Sequence, residues 1–314
     1  MNVDDIKAAF LGLAIGDALG VPVEFKSRTA LLSNPVKTML EYGCWNQPKG
    51  TWSDDSSLTF CLADSLCGGY NLNDIAQKML LWYQHAYMTA HGEVFDVGGT
   101  TRHALMRLID GCSPTISGNL FESDNGNGSL MRILPLAFYL QHEEDLAIIY
   151  SKVKEVSAIT HAHFRSVYAC FVYVVYLIEL IQEKDKHKAY SSMQKKIIDF
   201  TEQNQFNKQE TNLFSKIIKE DIAKYSTEEI KSDGYVLHTL EASLWCMMNT
   251  DNYEDAVLSA VNLGGDTDTT ACVTGGMAGL YYGMKSIPKD WISTVVKSEQ
   301  IEQLSLRFYE ALIN

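Results

Sequence analysis

Apolar residues recur at intervals of three and four almost from end to end of this chain, and that spacing restricts its fold more than any other feature. Ile6, Phe10, Leu13 and Ala14 share one face of a first segment, and Leu58, Cys61, Leu62, Ser65 and Leu66 share one face of another. The same period predicts helices over 75–87, 130–140, 147–159, 164–181, 236–247 and 271–282. Few stretches alternate as a half-buried strand would. Gly and Asn cluster at Gly68-Gly69, Gly98-Gly99, Asn125-Gly126-Asn127-Gly128 and Gly264-Gly265, which is the composition of sharp loops. No Pro/Ser-rich linker, composition shift or fixed-period repeat divides the 314 residues. The expectation is one compact all-α domain of orthogonal helices over 1–314. The polar stretch 183–232, rich in Lys, Gln and Asn, reads as a peripheral helical excursion.

A formal charge of -13 repels polyphosphate backbones, which argues against generic nucleic-acid binding and an electrostatic membrane anchor. The first residues carry acids where a secretory signal needs basic groups, and Gly12, Gly16 and Asp17 interrupt the apolar run, so a cytoplasmic location is expected. The most continuous apolar stretch, 168–181, is shorter than the roughly 20 residues of a bilayer crossing and reads as a buried helix. Seven cysteines without a C-x-x-C pair suit neither a disulfide framework nor a thiolate zinc site.

Two acidic clusters carry the candidate chemistry. Ser53-Asp54-Asp55-Ser56 precedes one apolar helical pattern, and Asp266-Thr267-Asp268-Thr269 precedes another behind two glycines. Either can be a pair of helix caps, since Ser and Asp favour that position. A cap needs one oxygen, however, and adjacent carboxylates repel unless a hard divalent cation gathers them with hydroxyls and water. From spacing alone, two caps and one shared metal site are evenly matched.

The neighbouring strings break the tie. In order along the chain stand FLGLAIGDALGVPVEF, GTWSDDSSLTFCLADSL, FDVGGTTRHAL, NGNGSLMRILPLA, THAH, GYVLHTLEASLW and AVNLGGDTDTTACVTGGMAGLYYG. Together they resemble the ADP-ribosylglycohydrolase family, which includes dinitrogenase reductase-activating glycohydrolase and the ADP-ribosyl-acceptor hydrolases, over roughly residues 10–283.

The resemblance implies an all-helical fold with a two-metal site in a cleft, holding two divalent cations, Mg²⁺ or Mn²⁺. Carried over, the ligands are Ser53, Asp54, Asp55, Asp266, Asp268 and Thr269, with Ser53 and Ser56 where the family commonly has threonine. It implies that Glu24 serves acid/base catalysis and that Asp96 contacts metal-bound water. Without the resemblance, Glu24 reads as a solvated loop acid and Asp96 as a cap for the helix near Thr100. Gly98 and Gly99 fall in a substrate loop, although many relatives have Asn at the second position. Asn125, Gly126, Asn127, Gly128 and Ser129 match the loop that takes the ADP-ribose diphosphate. A helix predicted directly behind them would add its positive end. His161 is implied to line the pocket, His163 to be structural, and Tyr235 to pack near the ligand.

The activity implied is metal-dependent removal of ADP-ribose from an ADP-ribosylated protein or small conjugate, with arginine-linked ADP-ribose first and serine-linked or other O-linked forms as alternatives. A cation beside the ribose polarises oxygen, and cleavage at the anomeric carbon passes through an oxocarbenium-like state that carboxylates stabilise. A catalytically silent or toxin-neutralising binding protein of the same fold is the rival from another class, and a two-metal phosphohydrolase is a second enzymatic one. By family likeness the protein is expected to be a monomer.

Overall fold

The computed structural model describes residues 1–313, and its regular structure is helical from Val3 to Ile313. Strand-like pairing among the described residues is confined to three isolated bridges, Tyr42 with Gln47, Asn119 with His161 and Gly126 with Tyr235. The protein is all-α, as the periodicity predicts.

The first helix, Val3–Gly20, opens on a capping box: the Asn2 side chain accepts from the N–H groups of Asp4 and Asp5, and the Asp5 carboxylate accepts from Asn2 N–H. Every residue from Ala8 to Gly20 is buried, so the helix is covered on all sides rather than along one stripe. Its main neighbour is Thr267–Tyr282, which runs antiparallel to it with backbone against backbone at the glycines of the seam. A Cβ on Gly16 would stand 2.0 Å from Ala271 O, one on Gly20 2.3 Å from Asp268 Cα, and one on Gly279 2.1 Å from Ala8 O. Glycine lets the two axes approach more closely than the 8–10 Å usual for helices with side chains between them. Thr267 Oγ1 donates to Gly20 O at 2.8 Å at the end of the seam. The C-terminal end of one helix is thereby pinned to the N-terminal end of the other.

Other helices wrap this pair. Phe10 meets Phe60 of Asp54–Leu66, Phe138 of Leu134–Tyr139 and Phe308 of Ser298–Ile313, with ring centroids 5.8–6.2 Å apart. The buried apolar residues form one contiguous cluster from Ile6 to Phe308. Two segments, Val3–Val23 and Phe164–Glu183, are long and apolar enough to cross a membrane, but 94% and 83% of their apolar windows are buried inside the protein. They are core helices here, which agrees with the buried reading of 168–181.

The polar stretch 183–232 folds as the helices Lys186–Gln203, Lys208–Asn212 and Ser215–Ile218 with short 3-10 turns. Its few large apolar residues are what fasten it. Phe214 packs on Tyr168 at 4.8 Å, and Phe200 on Phe171 at 5.2 Å. One predicted helix is shorter than its periodicity suggests: over 130–140 only Leu134–Tyr139 is helical, and 128–132 is a series of turns. Pro135 lies in the first turn of that helix, where its missing N–H costs nothing, so it sets the start there.

Gly16→Val should destabilise the protein by about 3 kcal/mol or more in urea unfolding, because neither backbone can yield. Gly99→Ala, which meets nothing within 4 Å, should stay within about 0.5 kcal/mol of wild type.

Candidate active site

The glycine seam places Asp17 under the N-terminus of Asp54–Leu66. Its carboxylate accepts from Ser53 N at 2.9 Å, Ser56 N at 3.1 Å and Ser56 Oγ at 2.6 Å. Asp17 is fully buried, and burial raises its carboxyl to about 7. Ser53 is the N-cap residue, and its hydroxyl accepts from Asp55 N at 3.3 Å. Capping is thus carried by Asp17 and Ser53, which leaves the carboxylates of Asp54 and Asp55 free for another task.

The second cluster lies opposite. Thr269 Oγ1 donates to Asp55 Oδ1 at 3.4 Å, so the two acidic strings meet, although 214 residues separate that pair in sequence. Asp266 is the N-cap residue of Thr267–Tyr282, yet its side chain makes no capping hydrogen bond among the described residues. Instead its Oδ2 accepts from Asn127 Nδ2 at 2.9 Å. Asp55 Oδ2, Asp266 Oδ1 and Asp268 Oδ2 are buried without any hydrogen-bond partner among the described residues. Orphaned buried oxygens of this kind are rare and costly.

Oxygens of Glu24, Asp266 and Asp268 lie within 4.8 Å of one another, and Asp17, Asp55 and Cys272 form a second such group. Unit charges about 5 Å apart repel by roughly 3 kcal/mol per pair at an effective dielectric near 20. A fully ionised cluster would therefore consume most of a domain's stability of about 5–15 kcal/mol. Burial, with repulsion from neighbouring acids, holds Asp54, Asp55 and Asp268 well above the usual carboxylate range. Hard oxygen donors, orphaned lone pairs and concentrated negative charge are what a divalent cation requires, so the acidic groups can hold a metal ion.

Glu24 stands at the lip of this cluster, buried rather than solvated at 6% exposure. Burial and the adjacent Asp96 push its carboxyl up to about 9, while the Trp45 indole N–H donates to Oε2. Its segment is held by Phe25 N–H to Gly265 O at 2.7 Å and by Arg28, whose guanidinium donates to the carbonyls of Leu263 and Ile230. Asp96 does not cap the following helix. That role falls to Gly98, and Asp96 adopts φ +57°, turning its carboxyl toward Glu24 and Asp268. Burial raises it to about 6.

The cleft is lined by Asp54, Asp55, Asp266 and Thr269 of the acidic clusters with Glu24, Asp96, Gly98, Gly99, Gly126, Asn127, Gly128 and His161, whereas Ser53, Asp268 and Tyr235 do not line it. The Asn125–Gly128 loop is clamped by Asn127 N–H to Gly234 O at 3.1 Å and Val236 N–H to Asn125 O at 2.9 Å. No helix begins directly behind it, because Leu134–Tyr139 starts five residues after Ser129; the expected positive helix end is replaced by turns. Ser129 faces the core, with its hydroxyl accepting from Ser157 Oγ at 2.9 Å, and Asn125 is spent on Ser166 and Glu122. Tyr235, half-buried at the start of Val236–Met248, packs edge-on against His238 at 4.9 Å.

His161 is anchored through one ring nitrogen. Thr160 Oγ1 accepts from buried Arg132 Nη2 at 2.8 Å and hydrogen-bonds His161 Nδ1 at 2.7 Å, which leaves Nε2 to face the cleft. Nε2 is the atom near Gly126, since a Cβ there would approach it to 3.7 Å. Burial, reinforced by Arg132, lowers the imidazole to about 3. The ring is neutral and presents Nε2 to an acid-rich cleft. His163 instead caps Phe164–Glu183 by accepting from Arg165 N.

Sequence reasoning missed Asp17, Arg132 and Trp45. The first two had a signal, a lone charge inside an otherwise apolar helical run; Trp45 had none.

The family profile described as ADP-ribosylglycohydrolase matches residues 2–314. The chain is 32% identical to ADP-ribosylarginine hydrolase Tri1 of Serratia proteamaculans (strain 568), covering 98% of this chain and 80% of that protein. It is 29% identical to ADP-ribosyl-[dinitrogen reductase] glycohydrolase of Rhodospirillum rubrum, covering 99% and 96%. A solved structure titled ADP-ribosylglycohydrolase-related protein complex superimposes with a TM-score of 0.81 at 29% identity, over 98% of both chains.

An imidazole that stays neutral when folded but protonates when unfolded below about pH 6.5 removes stability as the pH falls, by up to about 1.4 kcal/mol per unit. In His161→Gln the slope of unfolding free energy between pH 6.5 and 5 should be shallower by that order. An unchanged slope would mean that the ring titrates in place.

Proposed function

The chain belongs to the ADP-ribosylglycohydrolase family, and on that premise we propose that it is a metal-dependent hydrolase releasing ADP-ribose from arginine-linked conjugates on protein. The observation that carries this reading is the set of orphaned carboxylate oxygens on Asp55, Asp266 and Asp268, gathered beside a cleft with Glu24 at its lip. The arginine linkage is drawn from the relatives named above, whose names include an ADP-ribosylarginine hydrolase.

Ser53, Asp54, Asp55, Asp266, Asp268 and Thr269 would hold two divalent cations, Mg²⁺ or Mn²⁺. Bound there, the cations supply counter-charge and polarise the oxygens they contact. The chain's own groups do the rest. Asn127 and Asp17 hold the acids in place through the hydrogen bonds at Asp266 and at the Ser53 and Ser56 amides. Gly98, Gly99, Gly126 and Gly128 would leave room for the ribose and diphosphate, with Nε2 of His161 facing the same space. Tyr235, bridged to Gly126, would pack near the ligand.

Hydrolysis breaks the bond from the anomeric carbon to the guanidino nitrogen, and the electron pair leaves with nitrogen. A water oxygen bonds to that carbon, and one of the water's protons ends on the leaving nitrogen. Glu24, buried at the lip beside Asp96 with the Trp45 indole N–H on its Oε2, suits the donor role, after which the water reloads it. Asp96 accepts from the attacking water and sets its approach.

The reading is tested by incubating the protein with arginine-linked and serine-linked ADP-ribose, following free ADP-ribose with Mg²⁺, Mn²⁺ or chelator. Arginine-linked conjugate should be the better substrate, and chelator should abolish release. Asp268→Asn should lose activity by at least about 100-fold, the scale of one electrostatic group in an active site. It should also be at least as thermally stable as wild type in chelator, because one repelling charge is gone, and should gain nothing from added cation. Undiminished release under chelator would sink the metal assignment.

A further inference from the structure

Three aromatic rings adjoin the cleft residues Glu24 and Asp96, in places that core packing does not explain. Phe25 follows Glu24 directly, is 67% exposed and adopts φ +64°, a left-handed conformation that bulky residues rarely take. Phe95 directly precedes Asp96, whose backbone is left-handed as well. Trp45 lies between the two phenyl rings, with centroids 6.3 Å from Phe25 and 5.7 Å from Phe95, tilted at 58° and 50°. An exposed ring on a strained backbone, beside Glu24 and Asp96, is a feature that stability alone would not select.

The chemistry of this lip is specific. Aromatic faces carry the negative end of the ring quadrupole, and here they adjoin two carboxyl groups. A planar, delocalised and weakly hydrated cation stacks on such faces while donating to carboxylates, which describes a guanidinium. A serine-linked acceptor brings neither the charge nor the flat face. Building on the arginine reading above, we propose that Phe25, Trp45 and Phe95 form the acceptor subsite, a cation–π lip that takes the guanidinium of the modified arginine and sets the preference for it.

Trp45 also donates to Glu24, so its substitution would disturb proton transfer, and the test rests on Phe25→Leu and Phe95→Leu. With Mg²⁺ present, KM for arginine-linked ADP-ribose should rise about tenfold in each variant with kcat little changed. KM for the serine-linked conjugate and the inhibition constant of free ADP-ribose should not move. Agmatine, a guanidinium probe, should bind the wild-type protein in calorimetry and bind the variants correspondingly more weakly. Equal KM shifts for both linkages, or agmatine binding indifferent to both substitutions, would overturn the subsite. If the wild-type protein binds agmatine through Phe25 yet does not hydrolyse the arginine conjugate, the subsite stands and the arginine reading fails; if it hydrolyses the conjugate and the variants match it, the reverse holds.

Discussion

The whole site hangs on one contact, the glycine seam in which the backbone of Val3–Gly20 lies directly against that of Thr267–Tyr282. Because Gly12, Gly16 and Gly20 on one side face Gly275, Ala271 and Asp268 on the other, no side chain keeps the helices apart or lets them slide. The antiparallel arrangement puts the end of the first helix at the start of the second. Asp17 then reaches the N-terminus of Asp54–Leu66, the 21–24 segment arrives beside Asp266 and Asp268, and acids from three remote parts of the chain meet. Packing density in the core and placement of the carboxylates follow from the same geometry.

That arrangement opposes stability with function. The buried carboxyl groups of Asp54, Asp55 and Asp268 are each raised in pKa because burial and neighbouring acids disfavour their charged forms. A sequence selected for stability alone would replace one of them. Their rigid support points the other way: Asp17 satisfies helix amides, Asn127 holds Asp266, and Arg132 through Thr160 anchors the ring of His161. Supporting hydrogen bonds of this kind keep a site organised for its ligand before the ligand arrives. Strain sits at the lip, where Phe25 and Asp96 adopt left-handed backbone around the cleft mouth.

Much of this was legible in the sequence. Helical periodicity alone determined the fold class, and its boundaries were close wherever an amphipathic face was intact, as at Leu146–Ala158 and Val236–Met248. The acidic strings, with the family resemblance, pointed to Asp54, Asp55, Asp266 and Thr269, which the structure brings together along one cleft. Locally, however, a carboxylate at a helix start reads the same whether it caps that helix or faces a ligand. Only the tertiary structure decided this, because the amides of Ser53 and Ser56 are taken by Asp17 from another helix, which leaves the strings' own carboxylates oxygens to spare. Likewise, Gly98 rather than Asp96 begins its helix, Pro135 withholds the helix expected behind the Asn125–Gly128 loop, and Ser129 turns to the core. Such outcomes depend on partners distant in sequence or on a single backbone angle, and neither leaves a mark in local residue spacing. The sequence by itself determined the helices and the acids; the tertiary structure decided which acids are free, because freedom from a hydrogen bond is a property of the neighbours that folding supplies.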